Sequence, residues 1–258
     1  MLIGDSSTEG VSLEFSETYA GLIAAELESN GIDVLNAGVS SYSPSIYFTK
    51  VRYLLEQVGL EFTEVVVFID ISDIQDEALY YDVQSDGRVV DQSPSEGRST
   101  RWDAVKQVLK RHSATVRLAD LISDRWSPPP QPDLSRSLWT VNDSLFESYG
   151  QKGLDRATQY MDSLATLLTI REIPLTVTVY PWPAQLRFDT PESKQVIHWR
   201  QWAERGGVAF VDLFQPFYFD PDPEQTIQTY YLPGDIHFNR AGSRFIAENF
   251  LEAFQSSR

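Results

Sequence analysis

The chain contains no cysteine. Disulfides, thiol nucleophiles and Cys-ligated zinc or iron–sulfur sites are therefore excluded. Histidine is scarce, with three copies, at positions 112, 198 and 237. Positive charge is in deficit: 21 Lys and Arg against 37 Asp and Glu give a net charge of −16. That balance opposes non-specific binding to nucleic acid or to an anionic membrane surface, so no nucleic-acid partner is expected. No apolar run approaches the roughly 18 residues of a membrane span. The longest, Val65 to Ile69, has the length of a strand. A basic leader followed by an apolar stretch is also missing, so the expectation is a soluble, cytoplasmic chain. Location is less firmly set than solubility. Only Met1-Leu2-Ile3 precede the first turn, where a strand normally has about five or six residues, so a missing N-terminal piece and export both stay open.

What remains is ample for a core: 258 residues, 42% hydrophobic and 12% aromatic. One large domain with an insertion is expected over residues 1–258, with two domains as the alternative. The pattern is strand, turn, helix, repeated. Leu2-Ile3 ends a first strand. Tyr19, Leu22, Ile23 and Leu27 have helical spacing, and Asn30-Gly31 is a stop. Ile32 to Leu35 reads as a second strand and Ser45 to Val58 as a helix ending at Gly59. Val65 to Ile69 is a continuous, β-branched buried strand. Leu154, Ala157, Met161, Leu164 and Leu168 step by three and four along a helix. Leu175 to Tyr180 and Val208 to Val211 are two more strands. Thr190-Pro191-Glu192 reads as a helix start, and a last helix begins near Asn239. Between about 77 and 143 the pattern is irregular and polar, with the proline cluster of WSPPPQPDL, and is read as an insertion or lid. Alternating strands and helices predict an α/β fold: a flavodoxin-like three-layer sandwich on a five-stranded, mostly parallel sheet of order 2-1-3-4-5.

Ligands of such sheets bind at the carboxyl ends of the strands. Four polar stretches fall there: Gly4-Asp5-Ser6, Asn36-Ala37-Gly38-Val39-Ser40, Asp70-Ile71-Ser72-Asp73, and Gly234-Asp235-Ile236-His237-Phe238-Asn239. Together they hold a serine, backbone donors, an acid and a histidine, the groups that nucleophilic acyl chemistry requires. Each also has an ordinary structural reading. Ser6 can cap a helix, Ser7 a local turn, and Asp5 can bond backbone N–H groups. A lone histidine is usually structural, and Gly38 can serve a turn of positive φ. Asp70, Asp73, Asp76 and Glu77 suit a helix N-terminus better than a metal site; no metal or cofactor is expected. His112 and His198 are read as surface or packing residues, and Trp199 and Trp202 as core.

In these four stretches the chain resembles the SGNH/GDSL hydrolases, a family of serine esterases and acyl-transfer enzymes on a flavodoxin-like sheet. The resemblance implies Ser6 as nucleophile, His237 as base and Asp235 as its orienting acid. It implies an oxyanion hole built from Ser6, Gly38 and the third stretch. There the family usually carries Gly-x-Asn-Asp, and Ser72 stands in place of the asparagine. The family commonly spaces its acid and base Asp-x-x-His, whereas Asp235 and His237 are two apart. That spacing is similar to a branch containing polysaccharide O-acetylation proteins. Trp182 is expected to line the substrate pocket, or else simply to pack. Asp73 is expected to border the substrate site and hold the Ser72 loop. The implied activity is cleavage or transfer of an O-acyl, in particular O-acetyl, ester of a small molecule or glycan. The alternative is a catalytically silent carbohydrate-binding or scaffold domain that keeps the fold. Oligomeric state is not legible.

Overall fold

The structure, a computed structural model, describes residues 1–84, 87–92 and 136–256. Its main sheet has four parallel strands: β1 (Leu2–Gly4), β2 (Val65–Ile69), β5 (Leu175–Val179) and β6 (Ala209–Asp212), in the order β1-β2-β5-β6. A single row of partners, Ile3, Val67, Val177 and Phe210, crosses all four. All five residues of β2 and of β5 are buried. Helices cover both faces, which is why these strands read as continuous apolar runs rather than alternating ones.

The expected strand at Ile32–Leu35 does not form. The segment and the loop after it run beside β1 through three backbone bonds, Leu2 N to Leu35 O at 2.8 Å, Ala37 N to Leu2 O at 2.8 Å and Val39 N to Gly4 O at 3.2 Å. Only Asn36 completes a bridge, to Leu2. A three-residue β1 offers too short a template for a longer ladder, and Ile32 and Leu35 remain exposed. The anticipated order 2-1-3-4-5 survives with its first member reduced to this bridge.

On one face α2 (Tyr19–Ser29) packs on α9 (Arg240–Ser256). Both meet the sheet at Phe68, whose ring lies 4.9 Å from Tyr19 and 5.4 Å from Phe250. The second layer holds α3 (Pro44–Tyr53), α5 (Gln151–Ile170) and α7 (Lys194–Gly206). Here α3 packs on α5, and α7 is tied to α5 by Trp202 Nε1 donating to Asp162 at 2.7 Å. The predicted stripe of α5, Leu154, Ala157, Met161, Leu164 and Leu168, is buried throughout. Each large aliphatic side chain of that kind contributes about 1.5–3 kcal/mol. Trp199 and Trp202 are buried, as expected.

Several boundaries shift for local reasons. Helix α3 passes through a π-type turn at Leu54–Val58 and stops at Gly59, whose φ of +70° ends it. Helix α7 starts at Lys194 rather than Thr190, because the Ser193 side chain caps Gln195 N. The stretch from 77 is not wholly irregular. Helix α4 (Asp73–Leu79) runs into it and is followed by an antiparallel hairpin, β3 (Tyr81–Val83) with β4 (Val89–Asp91). Of the expected insertion, residues 85–86 and 93–135, including WSPPPQPDL and His112, lie outside the described residues. Beyond them, Trp139 is fully buried and donates to Ile71 O at 3.1 Å. Among the described residues no helix is long and apolar enough to cross a membrane.

Candidate active site

Strand β1 ends at Gly4, and a short helix, α1 (Ser6–Glu9), begins two residues later. Asp5 caps it by accepting from Ser7 N at 3.0 Å. Glycine is needed before it for proximity: a Cβ on Gly4 would stand 2.1 Å from Thr8 Oγ1 and 2.8 Å from the Phe68 carbonyl. Ser6 is the first residue of α1, half-buried, and its N–H has no intrahelical acceptor.

His237 arrives from the far end of the chain. Its loop follows α8 (Pro223–Tyr230) and is closed by Leu232 N to His237 O at 3.0 Å and Asp235 N to Leu232 O at 3.1 Å. Asn239 secures the next turn: its Oδ1 accepts from Ala241 N and Gly242 N while its Nδ2 donates to the Thr229 and Tyr231 carbonyls. This holds His237 Nε2 2.9 Å from Ser6 Oγ and Nδ1 2.8 Å from Asp235 Oδ1. Asp235 Oδ1 also accepts from Ile236 N at 2.6 Å and His237 N at 3.3 Å. An oxygen that is already an acceptor twice takes a third bond as an acceptor. The proton therefore sits on Nδ1, and Nε2 presents its lone pair to the Ser6 hydroxyl.

The other expected site residues are placed differently. The Gly38 N–H donates to Asn36 Oδ1 at 2.9 Å, while Asn36 Nδ2 donates to Thr8 O at 2.8 Å. Nor does Gly38 adopt a positive φ. It is required because a Cβ would lie 2.7 Å from Thr8 Cβ and 2.9 Å from Glu9 N, so the loop could not close on α1. Ser72 directs both its N–H, at 2.8 Å, and its hydroxyl, at 2.7 Å, to Asp70 Oδ1. Its single hydroxyl proton is thus turned from the Ser6 crevice toward an acid. Trp182, expected on the pocket wall, is 2% exposed and donates from Nε1 to Asp70 Oδ2 at 2.7 Å. Asp73, expected at the substrate border, is fully buried, accepting from Tyr47 OH at 2.8 Å and Asp70 N at 3.2 Å. It does hold the loop that carries Ser72. Of the three anticipated oxyanion donors, Ser6 N–H alone has no acceptor among the described residues.

Two residues that the sequence does not single out for the site prove central to it. Asp70 accepts four bonds, from Ser72 N, Ser72 Oγ, Tyr180 OH and Trp182 Nε1. Tyr180 OH lies 2.9 Å from Asp70 Oδ2 and 3.2 Å from Asp5 Oδ1, joining the ends of β1, β2 and β5. Both follow their strands directly, and that position is the available signal.

Burial, aided by the charge of Asp70, pushes the carboxyls of Asp5 and Asp73 well above the usual range. Asp76, in α4, is raised to about 6, chiefly by burial, although Arg136 opposes the rise with bidentate contacts of 2.7 and 2.8 Å. The unfolded chain releases this proton near the ordinary value of about 3.9. Between those limits the folded protein binds more protons, so stability is full at the acidic end and falls as pH rises through 6. Denaturation at pH 5 should show the protein more stable than at pH 7.5, by about 1–3 kcal/mol. In Asp76→Asn that increment should shrink.

A small cavity beside His237 is lined by Ser7, Gly10, Val11, Leu13 and Phe238 among others. Leu13 also borders an open, largely apolar depression of about 450 Å³, with Leu232, Asn239, Arg240 and Ala241.

No protein-family model matches the chain, and no curated protein does. Solved structures do. The chain is similar to the psychrotrophic esterase EstA from Pseudoalteromonas sp., at 12% identity and a TM-score of 0.53, covering 99% of this chain and 96% of that one. It is similar to an acetylxylan esterase from Geobacillus stearothermophilus, at 16% identity and a TM-score of 0.53, over 98% and 91% of the two chains. A member of the lipolytic G-D-S-L family from Veillonella parvula matches at 12% identity and a TM-score of 0.50, over 98% and 96%. At these identities the likeness is one of fold, and the α/β architecture is shared along nearly the whole chain.

Proposed function

We propose that this chain is a serine-dependent esterase or acyl-transferase of the SGNH type, working through Ser6, His237 and Asp235. The observation that carries the reading is the unbroken row Asp235–His237–Ser6, at 2.8 and 2.9 Å, at the carboxyl edge of the sheet. Ser6 Oγ attacks the ester carbonyl as His237 Nε2 takes its proton, and Asp235 stabilises the imidazolium through Nδ1–H. The Ser6 N–H, at the start of a helix, faces the developing oxyanion. His237 then protonates the leaving alcohol. Water or a sugar hydroxyl, deprotonated by the same histidine, releases the acyl group from Ser6.

The substrate class we favour is an O-acetyl ester of a carbohydrate. The acetylxylan esterase among the structures of this fold supports it, as does the Asp-x-His spacing of Asp235 and His237. The apolar depression that shares Leu13 with the His237 cavity gives room for an ester substituent. Full-length coverage by these folds supports one domain.

A second reading, a silent binding domain, draws on the Gly38 N–H and the Ser72 hydroxyl, which are bonded within the protein. A fluorophosphonate probe separates the two. On the esterase reading it modifies Ser6 alone, as mapped by mass spectrometry, and blocks hydrolysis of p-nitrophenyl acetate. An unlabelled Ser6, with no turnover of any acetyl ester, favours the silent domain.

A further inference from the structure

Ser6 Oγ has two acceptors within reach and one proton to give. His237 Nε2 is 2.9 Å away, and Asp5 Oδ2 is 3.2 Å away. An ionised Asp5 competes with the base for the hydroxyl proton. A protonated Asp5 does the opposite, because it donates to Oγ and leaves the serine proton for His237.

The surroundings decide between these states. Asp5 Oδ1 accepts from Ser7 N at 3.0 Å and faces Tyr180 OH at 3.2 Å. Tyr180 has one proton too, and its nearer acceptor is Asp70 Oδ2 at 2.9 Å. Asp70 is the better home for a negative charge, since four donors converge on it. Asp5 then sits buried beside that charge. Its Oδ2 meets Ser6 Oγ, which is already committed to the histidine. Tyr19 from α2, Asp73 with Tyr47, and Arg136 also share this electrostatic neighbourhood. The guanidinium of Arg136 is held on Asp76, so it does not neutralise Asp5. Two buried acids bridged by one phenol, with no cation bonded to either among the described residues, hold one charge between them far more readily than two.

We infer that Asp5 is a neutral carboxylic acid whose Oδ2–H donates to Ser6 Oγ, making it a positioning residue for the nucleophile. The inference rests on the serine-esterase reading of the site. It gives every bond in the row one direction: Asp5 to Ser6, Ser6 to His237, and His237 to Asp235. The acid forms no bond to substrate. It fixes the rotamer of Oγ, so that the lone pair used in attack points away from the protein and the proton points at Nε2. At alkaline pH Asp5 loses its proton, and the carboxylate then draws the Ser6 hydroxyl away from His237.

Asparagine mimics the neutral acid, since its amide donates to Ser6 and its oxygen caps Ser7 N. Alanine does neither. The rate of fluorophosphonate labelling across pH is the measurement. Asp5→Asn should label at least about tenfold faster than Asp5→Ala, and the alkaline decline of the wild type should be missing in Asp5→Asn. Equal rates for the two variants, or the same alkaline decline in Asp5→Asn, overturn the inference. Infrared difference spectra of wild type against Asp5→Asn at neutral pH should show a carboxylic acid carbonyl band that the variant lacks. Absence of that band overturns the inference whatever the activity. A wild type that carries the band yet labels at no pH retires the esterase reading and upholds the protonated Asp5.

Discussion

Replacing Ser6 by alanine is expected to lower kcat/KM on p-nitrophenyl acetate by about 10³–10⁶, the range for losing a nucleophile that works with a base. The fold should survive the change. Among the described residues the Ser6 hydroxyl bonds only to Asp5 and His237, its side chain is half-buried, and α1 is capped by Asp5 rather than by Ser6. Chemical denaturation should therefore register only the buried Asp5 carboxyl left without its Ser6 partner, a fall of about 1–3 kcal/mol. His237→Ala should cost a similar factor, and the double variant little more than either, because the two groups act as one unit. A Ser6→Ala protein that keeps its turnover would remove Ser6 from the chemistry. Ser7, which bonds back to Asp5 through its N–H, would then be the serine to replace next.

The second large effect is on stability. Asp70→Ala should lower the unfolding free energy by roughly 3–5 kcal/mol, read as a fall in the urea midpoint at constant slope. Two effects oppose each other at this position. Removing a buried charge relieves its repulsion of Asp5 and Asp73, both of which it pushes upward. Yet the same change strands three donors, the Ser72 amide and hydroxyl and Trp182 Nε1, and leaves Tyr180 OH with only its longer contact to Asp5, all on buried residues. An unsatisfied buried donor costs about 1–3 kcal/mol, so three of them outweigh the relief even when they do not add. Asp70→Asn should fall between, since it keeps the volume and one acceptor oxygen. An Asp70→Ala protein as stable as the wild type would mean that repulsion among the acids outweighs the lost bonds.

Much of this architecture is legible in the sequence because its elements carry their own signals. Val65–Ile69 is a buried strand with no polar interruption, and the α5 stripe holds its period from Leu154 to Leu168. Gly59 and Asn30-Gly31 end helices where positive φ or a cap demands it. What does not show has a tertiary cause. Whether Ile32–Leu35 forms a strand depends on the length of β1, a property of another segment. The α6 helix (Pro183–Phe188) and α8 are short, with too few turns to establish a period in sequence. For the site, the Gly4-Asp5-Ser6 turn and the Asp235/His237 pair can be placed at strand ends and a loop from sequence. The structure brings them together as that placement requires. The bonding of Gly38, Ser72, Trp182 and Asp73 is hidden for one shared reason. It depends on how loops from separate strands meet in space, and Asp70, which collects much of it, looks in sequence like one more acid in a run of acids.

Ser6 and His237 lie 231 residues apart. Ser6 stands at the first turn of the chain, and His237 rests on the loop that α9 must dock to hold. On the esterase reading, a molecule that has collapsed and formed its helices but has not seated α9 against α2 would carry every side chain of the site and still be inert. On that same reading, recovered reactivity of Ser6 during refolding is thus a clock for this long-range closure. Circular dichroism would register the earlier ones.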